Sequence, residues 1–197
     1  MDKDGLQSMV ARIAYNTGFG AYKHFYTYSL LTKTPGWIGL TTALIGLIQL
    51  AGYGVGYEKP ISITLLFLGM VIWSMAAQYQ NRESYNEVGK ELNSLFHQLM
   101  EIYFKSQSCS DDELLKLNKE VNEINQKLQD ISITKQVMFS DLLAHYGFFY
   151  KADIQWLEAA RGFGFWQDKV PANVKVFSFL VILVVIIWSL VKYFNLL

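Results

Sequence analysis

The side chains with most scope for binding chemistry in this 197-residue sequence are six cations, Lys116, Lys119, Lys127, Lys135, Lys151 and Arg161. Acids are interleaved with them, so taken singly they read as the solvated face of helices. A symmetric oligomer changes that reading. One lysine per subunit facing an axis becomes a ring, and a ring of ammonium groups can hold a phosphate-bearing ligand such as a nucleotide or an oligonucleotide. The aromatics Phe148, Phe149, Tyr150, Trp156 and Trp166 could stack bases beside such a ring, or could pack a core.

A second set of residues stands out against an apolar background. Gly39, Ala43 and Gly46 recur at spacings of four and three, which leaves a shallow groove where another helix can come close. That groove suits packing inside a helical hairpin first, and a subunit contact or a pore-lining face second. Gln49 and Gln78 are polar amides within or near uncharged runs; in hydrocarbon each needs a partner, supplied by a neighbouring helix or a water-filled path. No Gly-rich phosphate loop, paired-carboxylate context, Ser-His-Asp set or zinc motif is present. His24, His97 and His145 fall in separate segments and Cys109 is the sole cysteine. No catalytic residue, metal or cofactor is therefore assigned, and the chain is read as a non-enzyme.

The elements that must position these residues are set by how apolar residues are distributed. Charged residues make up 17% of the chain and aromatics 15%, which points to a surface facing lipid as well as water. Residues 34–57 carry no charge, residues 60–81 form a second uncharged run, and about 20 apolar residues suffice to cross a hydrocarbon core. A tight turn around Glu58, Lys59 and Pro60 is expected to join them as an antiparallel hairpin. A third run, Val176 to Val191, lies between Lys175 and Lys192; both lysines can snorkel, and the tail Tyr193 to Leu197 adds apolar length. Lys3, Arg12, Lys23 and Lys33 precede the first span, only Lys59 lies in the turn, and eleven basic residues from Arg82 to Lys175 separate the second and third spans. This asymmetry predicts a cytoplasmic N-terminus and central region.

The central region has helical periodicity. Tyr85, Val88, Leu92, Leu95, Leu99 and Ile102 form one seam, continuing directly from the second span. Leu114, Leu117, Val121, Ile124, Leu128 and Ile131 form another, opened by Ser110 and Glu113 at capping-box spacing. Two such seams joined by a short polar loop predict an antiparallel hairpin or a bundle across subunits. Residues 132–161 read as a third helical stretch with Gly147 as an irregularity, and GFGFWQDKVP as a break before the last span. Ahead of the first span, Tyr15, Phe19, Tyr22, Phe25, Tyr26 and Tyr28 suggest a helix lying along the membrane interface or packing on the hairpin. The expected fold is an all-α membrane protein with three transmembrane helices and a cytoplasmic antiparallel helical module. Its parts are an amphipathic N-terminal helix (1–33), a transmembrane hairpin (34–81), the module (82–171) and a third transmembrane helix (172–197).

Several stretches carry a family resemblance over about residues 6–170: ARIAYNTGFGAYKHF, the tight hairpin, YNEVGKELNSLFHQL, and HYGFFYKADIQWLEAARGFGFWQDKVP. Together they resemble the SMODS- and SLOG-associating two-transmembrane effector (SLATT) family of bacterial membrane proteins. The resemblance implies a pore-forming or membrane-disrupting effector, encoded beside a nucleotidyltransferase whose product controls it. The chain is also similar to the transmembrane effector of Hailong-type antiphage systems, which implies an oligonucleotide that keeps the effector inactive. The third span departs from the two-span pattern. The resulting expectation is a homo-oligomeric, tetrameric ion channel in lipid of the bacterial inner membrane, acting in abortive infection and gated by nucleotide or oligonucleotide. The alternative is a non-conducting scaffold that recruits a partner protein through the cytoplasmic helices.

Overall fold

The computed structural model describes residues 2–53, 56–131, 135–137 and 139–194, without the side chains of residues 173, 184 and 188–194. Among these residues the structure is all helical: α1 (Lys3–Leu50), α2 (Glu58–Tyr79), α3 (Arg82–Ser106), α4 (Asp111–Ile131), α5 (Ser140–Tyr150), α6 (Gln155–Arg161), a π-turn (Phe165–Lys169) and α7 (Ala172–Phe194). The Lys192 side chain and the tail beyond residue 194, both invoked for the third span, lie outside the described residues. So do residues 132–134 and 138 of the third helical stretch.

The N-terminal segment is not an interfacial helix. It is the first half of one 48-residue helix, α1, that runs through residue 33 and on past Pro35. Asp2 caps it, its carboxylate accepting from the Gly5 N–H at 3.0 Å. The buried face of this half carries Leu6, Val10 and Ile13, but also Ala11, Ala14, Thr17, Gly18, Ala21, His24 and Thr27. Small and polar side chains let neighbours approach closely on several sides, so α1 sits inside a bundle of α3, α4, α5 and α6. A helix covered on several sides has no single apolar stripe, and aromatic residues beside it resemble a membrane-interface pattern. Here those rings are core: Tyr15, Phe19 and Tyr22 lie 5.7, 6.1 and 6.0 Å from the ring of Phe148, all edge-on.

Both predicted seams are buried in the way the periodicity requires. Leu95, Leu99 and Ile102 of α3 and Leu117, Val121 and Ile124 of α4 join Phe148, Phe149 and Leu157 in one core with α1. Burying each such side chain contributes about 1.5–3 kcal/mol. α4 opens with the Glu113 half of the expected capping box: the Glu113 carboxylate accepts from the Ser110 N–H at 2.9 Å and from its hydroxyl at 3.1 Å. These bonds hold the Glu113 pKa below its ordinary value.

Three local expectations shift. The described residues between α1 and α2 are 51–53 and 56–57, with Gly52 and Gly56 at positive φ (81° and 90°), while Glu58, Lys59 and Pro60 form the first turn of α2. Proline is tolerated there because first-turn N–H groups have no helical acceptor. α3 does not run straight out of α2; a turn at Gln80 and Asn81 intervenes, closed by Asn81 N–H to the Gln78 carbonyl at 3.1 Å. Gly147 is not where the third stretch breaks. It lies inside α5, where an added Cβ would fall 2.5 Å from Tyr26 Cε2 and 2.7 Å from Tyr22 Cδ1, and the break falls between α5 and α6 at residues 151–154.

Gly18 also makes a close contact, at the centre of the bundle. A Cβ there would meet Phe148 Cε2 at 2.7 Å and Phe96 Cδ2 at 2.8 Å, both on buried rings, whereas at Gly20 the nearest atom is Leu92 Cδ1 at an ordinary 3.5 Å. Gly18→Ala is expected to destabilise the bundle by about 1–3 kcal/mol through overpacking. Gly20→Ala should stabilise it by about 0.5–1 kcal/mol through helix propensity, both read as thermal melting in detergent. The Glu113 cap is fully formed above the ordinary glutamate pKa and is lost as pH falls through the lowered folded value. Acid should therefore reduce amide protection in the first turn of α4, and Glu113→Gln should remove that dependence.

Candidate functional site

The functional geometry is where the bundle hands over to the hairpin. Leu31 is the last buried residue of α1. It packs with Met75, Tyr85 and Val137 in a small second core at the foot of the bundle. Beyond Leu31, α1 and α2 are largely uncovered by the rest of the chain: Trp37, Leu40, Leu44, Leu47, Ile63, Leu66, Phe67 and Trp73 are all exposed. α2, at 22 residues, is the one described helix long and apolar enough to cross a membrane by length and composition. Val174–Ile187 of α7 is a shorter apolar stretch.

A polar clamp lies just inside this handover. Thr27 Oγ1 donates to Gln136 Oε1, Gln136 Nε2 lies 3.3 Å from His24 Nε2, and His24 Nδ1 lies 2.8 Å from the Gly20 carbonyl. The bonds are mutually consistent when His24 carries its proton on Nδ1, so that Nε2 accepts from the amide. Alongside, the Tyr85 hydroxyl donates to the Lys135 carbonyl at 2.7 Å. The linker before α5 is thus bonded to α1 and α3 at the level where the exposed helix pair leaves the bundle. Sequence reasoning missed His24, Thr27 and Gln136. The available signal was a histidine and a threonine three apart on an otherwise aromatic and small-residue helix, a polar pair that burial obliges to find partners.

Among the described residues the small-residue face and Gln49 stay open, whereas Gln78 does not. An added Cβ at Gly39 or Gly46 meets nothing within 4 Å, and Ala43 and Gln49 are exposed. Gln78 is half-buried, and its Oε1 is buried without a hydrogen-bond partner. The hairpin's own packing therefore does not use the groove.

The six cations are not brought together in one chain. Lys116, Lys119 and Lys127 lie along the outer face of α4, Lys135 in the linker, and Lys151 and Arg161 beside α5 and α6. Lys127 lines a groove of about 250 Å3 with Glu101, Glu120 and Glu123, and Lys119 Nζ is 3.9 Å from Glu123. Lys116 lines another of about 390 Å3 with Lys105, Cys109 and Glu113. Arg161 lies over the rings of Tyr15 at 4.8 Å and Phe163 at 5.4 Å, and Lys151 over Tyr146 at 5.2 Å. Of the aromatics, Phe148 and Phe149 are core, Trp156 is half-buried against Phe96 and Tyr103, and only Tyr150 and Trp166 are exposed. Among the described residues no three of His, Cys, Asp and Glu are grouped as metal ligands.

The clamp has a measurable worth. Gln136→Leu removes its bonds to Thr27 and His24 at once and should cost about 1–3 kcal/mol, because buried polar groups lose their partners. Thermal melting reports the loss, and hydrogen exchange should locate it at residues 135–137 and the end of the bundle.

No curated protein and no solved structure matches this chain. The family model for SMODS and SLOG-associating 2TM effector domain 6 matches residues 1–178, which takes in the bundle, the hairpin and only the first turns of α7. A continuous match over the helix pair α1–α2 and the bundle around it places the chain in that family: it belongs to the SMODS and SLOG-associating two-transmembrane effector (SLATT) proteins.

Proposed function

We propose that this protein is a homotetrameric ion channel of the bacterial inner membrane, the pore-forming effector of an antiphage system. The N-terminus and the bundle lie in the cytoplasm, α1 after Pro35 and α2 span the bilayer, and α7 adds a third span. A companion nucleotidyltransferase supplies the nucleotide or single-stranded oligonucleotide that sets the open fraction. Lys116, Lys119, Lys127, Lys135, Lys151 and Arg161 provide the cationic surface that ligand meets in the assembly.

The observation that carries this reading is the continuity of α1. One unbroken helix runs from the bundle core at Leu6 to the end of the first span at Leu50. Any repacking around its first half is thereby passed along the backbone to its second. The uncovered face at Gly39, Ala43 and Gly46 supports close contact with a second copy. The Gln78 carbonyl oxygen, which finds no partner among the described residues, supports a polar contact or wet path between subunits. Pro35 has no N–H to give the Leu31 carbonyl, so one helical hydrogen bond is missing where burial ends. With the turn at Gln80 and Asn81, this puts a compliant point at the foot of each span. Ligand can shift the open fraction only by its difference in affinity for the two packings.

Ion flux through purified protein in liposomes tests the proposal. Flux is expected, and short single-stranded oligonucleotides or the nucleotidyltransferase's product should change it several-fold. Gly39→Leu with Gly46→Leu should abolish both the tetramer and the flux. Protein that inserts and oligomerises but conducts nothing with or without ligand would instead be a scaffold.

A further inference from the structure

Three aromatic rings of α1 are wedged against glycines of its neighbours. Phe25 lies 2.8 Å from where a Cβ on Gly89 of α3 would be, and Tyr22 and Tyr26 lie 2.7 and 2.5 Å from where one on Gly147 of α5 would be. The same rings are only half-buried. With Ser29 of α1 and Asn93 of α3 they line a groove of about 410 Å3, a volume in the range of about 300–1,000 Å3 typical of ligand sites.

What lines the groove selects the chemistry of its ligand. Among the described residues no charged side chain lines it, whereas the two grooves beside α4 carry glutamates as well as lysines. The hydroxyls of Tyr22, Tyr26 and Ser29 and the amide of Asn93 make no hydrogen bond to the protein among the described residues. Aromatic walls with uncommitted donors and acceptors suit a neutral, planar ring that carries donors and acceptors on its edge. A nucleobase is such a group: stacking on an aromatic side chain contributes about 1–3 kcal/mol per base, and an asparagine amide both donates to and accepts from a base edge. Cations lie just outside the walls. Lys33 is one turn beyond Ser29 on α1, and Lys90 one turn before Asn93 on α3. The two helices run antiparallel, Gly89 meeting Phe25 where Leu92 meets Gly20, so both lysines fall at the same end of the groove. Both are exposed and in no ion pair among the described residues.

We infer that this groove binds one base of a nucleotide or single-stranded oligonucleotide, its ring against Tyr22, Phe25 and Tyr26, its edge on Asn93 and its phosphate toward Lys33 and Lys90. The inference rests on the reading of a nucleotide-controlled effector, and it adds the place where the base is held. Because the rings that line the groove are also those seated on Gly89 and Gly147, any repacking of α1 against α3 or α5 reshapes it. A base bound there therefore has different affinities for different packings, which is the condition for control by ligand.

Fluorescence anisotropy of a labelled, mixed-sequence single-stranded DNA hexamer, titrated with the full chain in mild detergent, tests this. Saturable binding is expected, and an abasic hexamer with the same phosphates should bind about tenfold more weakly or worse. Asn93→Asp, which puts a carboxylate in the groove, and Ser29→Trp, which fills it, should each weaken the intact hexamer by about tenfold. Asn16→Asp, the same change at an exposed position of α1, should not. Asn93→Gln keeps the amide and should retain most of the affinity, which keeps the test valid if Ser29→Trp melts early by circular dichroism. Equal binding of the abasic hexamer, unchanged affinity in the groove variants, or no binding of either hexamer would overturn the proposal. So would a cross-link from Ser29→Cys to a second copy, which would mark a subunit contact. Oligonucleotide-dependent flux with binding unchanged in Asn93→Asp refutes only this site, and base-dependent binding without flux refutes only the channel.

Discussion

Everything in this molecule depends on α1 being packed on several sides through small residues. Gly18 of α1 receives the rings of Phe96 from α3 and Phe148 from α5, and Gly89 of α3 receives the ring of Phe25 from α1 at 2.8 Å from where its own Cβ would be. The fit is reciprocal: each helix offers a glycine to the other's phenylalanine. Interiors at crystal-like density have few intermediate packings, so α3 and α5 cannot slide along α1 without ejecting a ring. Motion in the bundle is then motion of α1 as a body, and α1 continues past the bundle into the exposed helix pair with α2.

The handover from bundle to hairpin is built from groups of opposite character. Leu31, Met75, Tyr85 and Val137 form a small apolar plug, and the Thr27, Gln136 and His24 clamp sits one turn above it on α1. A fully bonded polar network rigidifies its surroundings, since any partner lost inside a low-dielectric interior is costly. Immediately beyond this rigid collar lie Pro35 on α1 and the turn at Gln80 and Asn81 at the end of α2. The backbone is thus less braced just past the collar than within it.

Charge is used locally and modestly. Lys23 with Asp141 and Lys169 with Glu158, both at 2.7 Å, join α1 to α5 and the π-turn to α6, and the pairs on α3 and α4 are longer and exposed. Exposed pairs contribute about 0–1 kcal/mol each, so the bundle is held by its core and not by its surface. The lysines of α4 therefore contribute little to holding the fold.

The α3 and α4 seams, the Ser110–Glu113 cap and the second span were legible in the sequence because each depends on interactions within a few residues or on one repeating face. Helical period, capping geometry and uncharged length are properties of the chain alone. The place of α1's first half was not legible. Its buried face mixes Leu6 and Val10 with Gly18, His24 and Thr27, and only the presence of α3, α5 and α6 around it makes those residues interior. The same reason separates Gly147, read as a break and found as a contact, from the real break at residues 151–154, and hides the groove at Tyr22 and Asn93, whose walls come from α1 and α3. Sequence alone determined which segments are helical and which are apolar. Tertiary structure decided which faces are covered, because coverage is set by neighbours that no local pattern names.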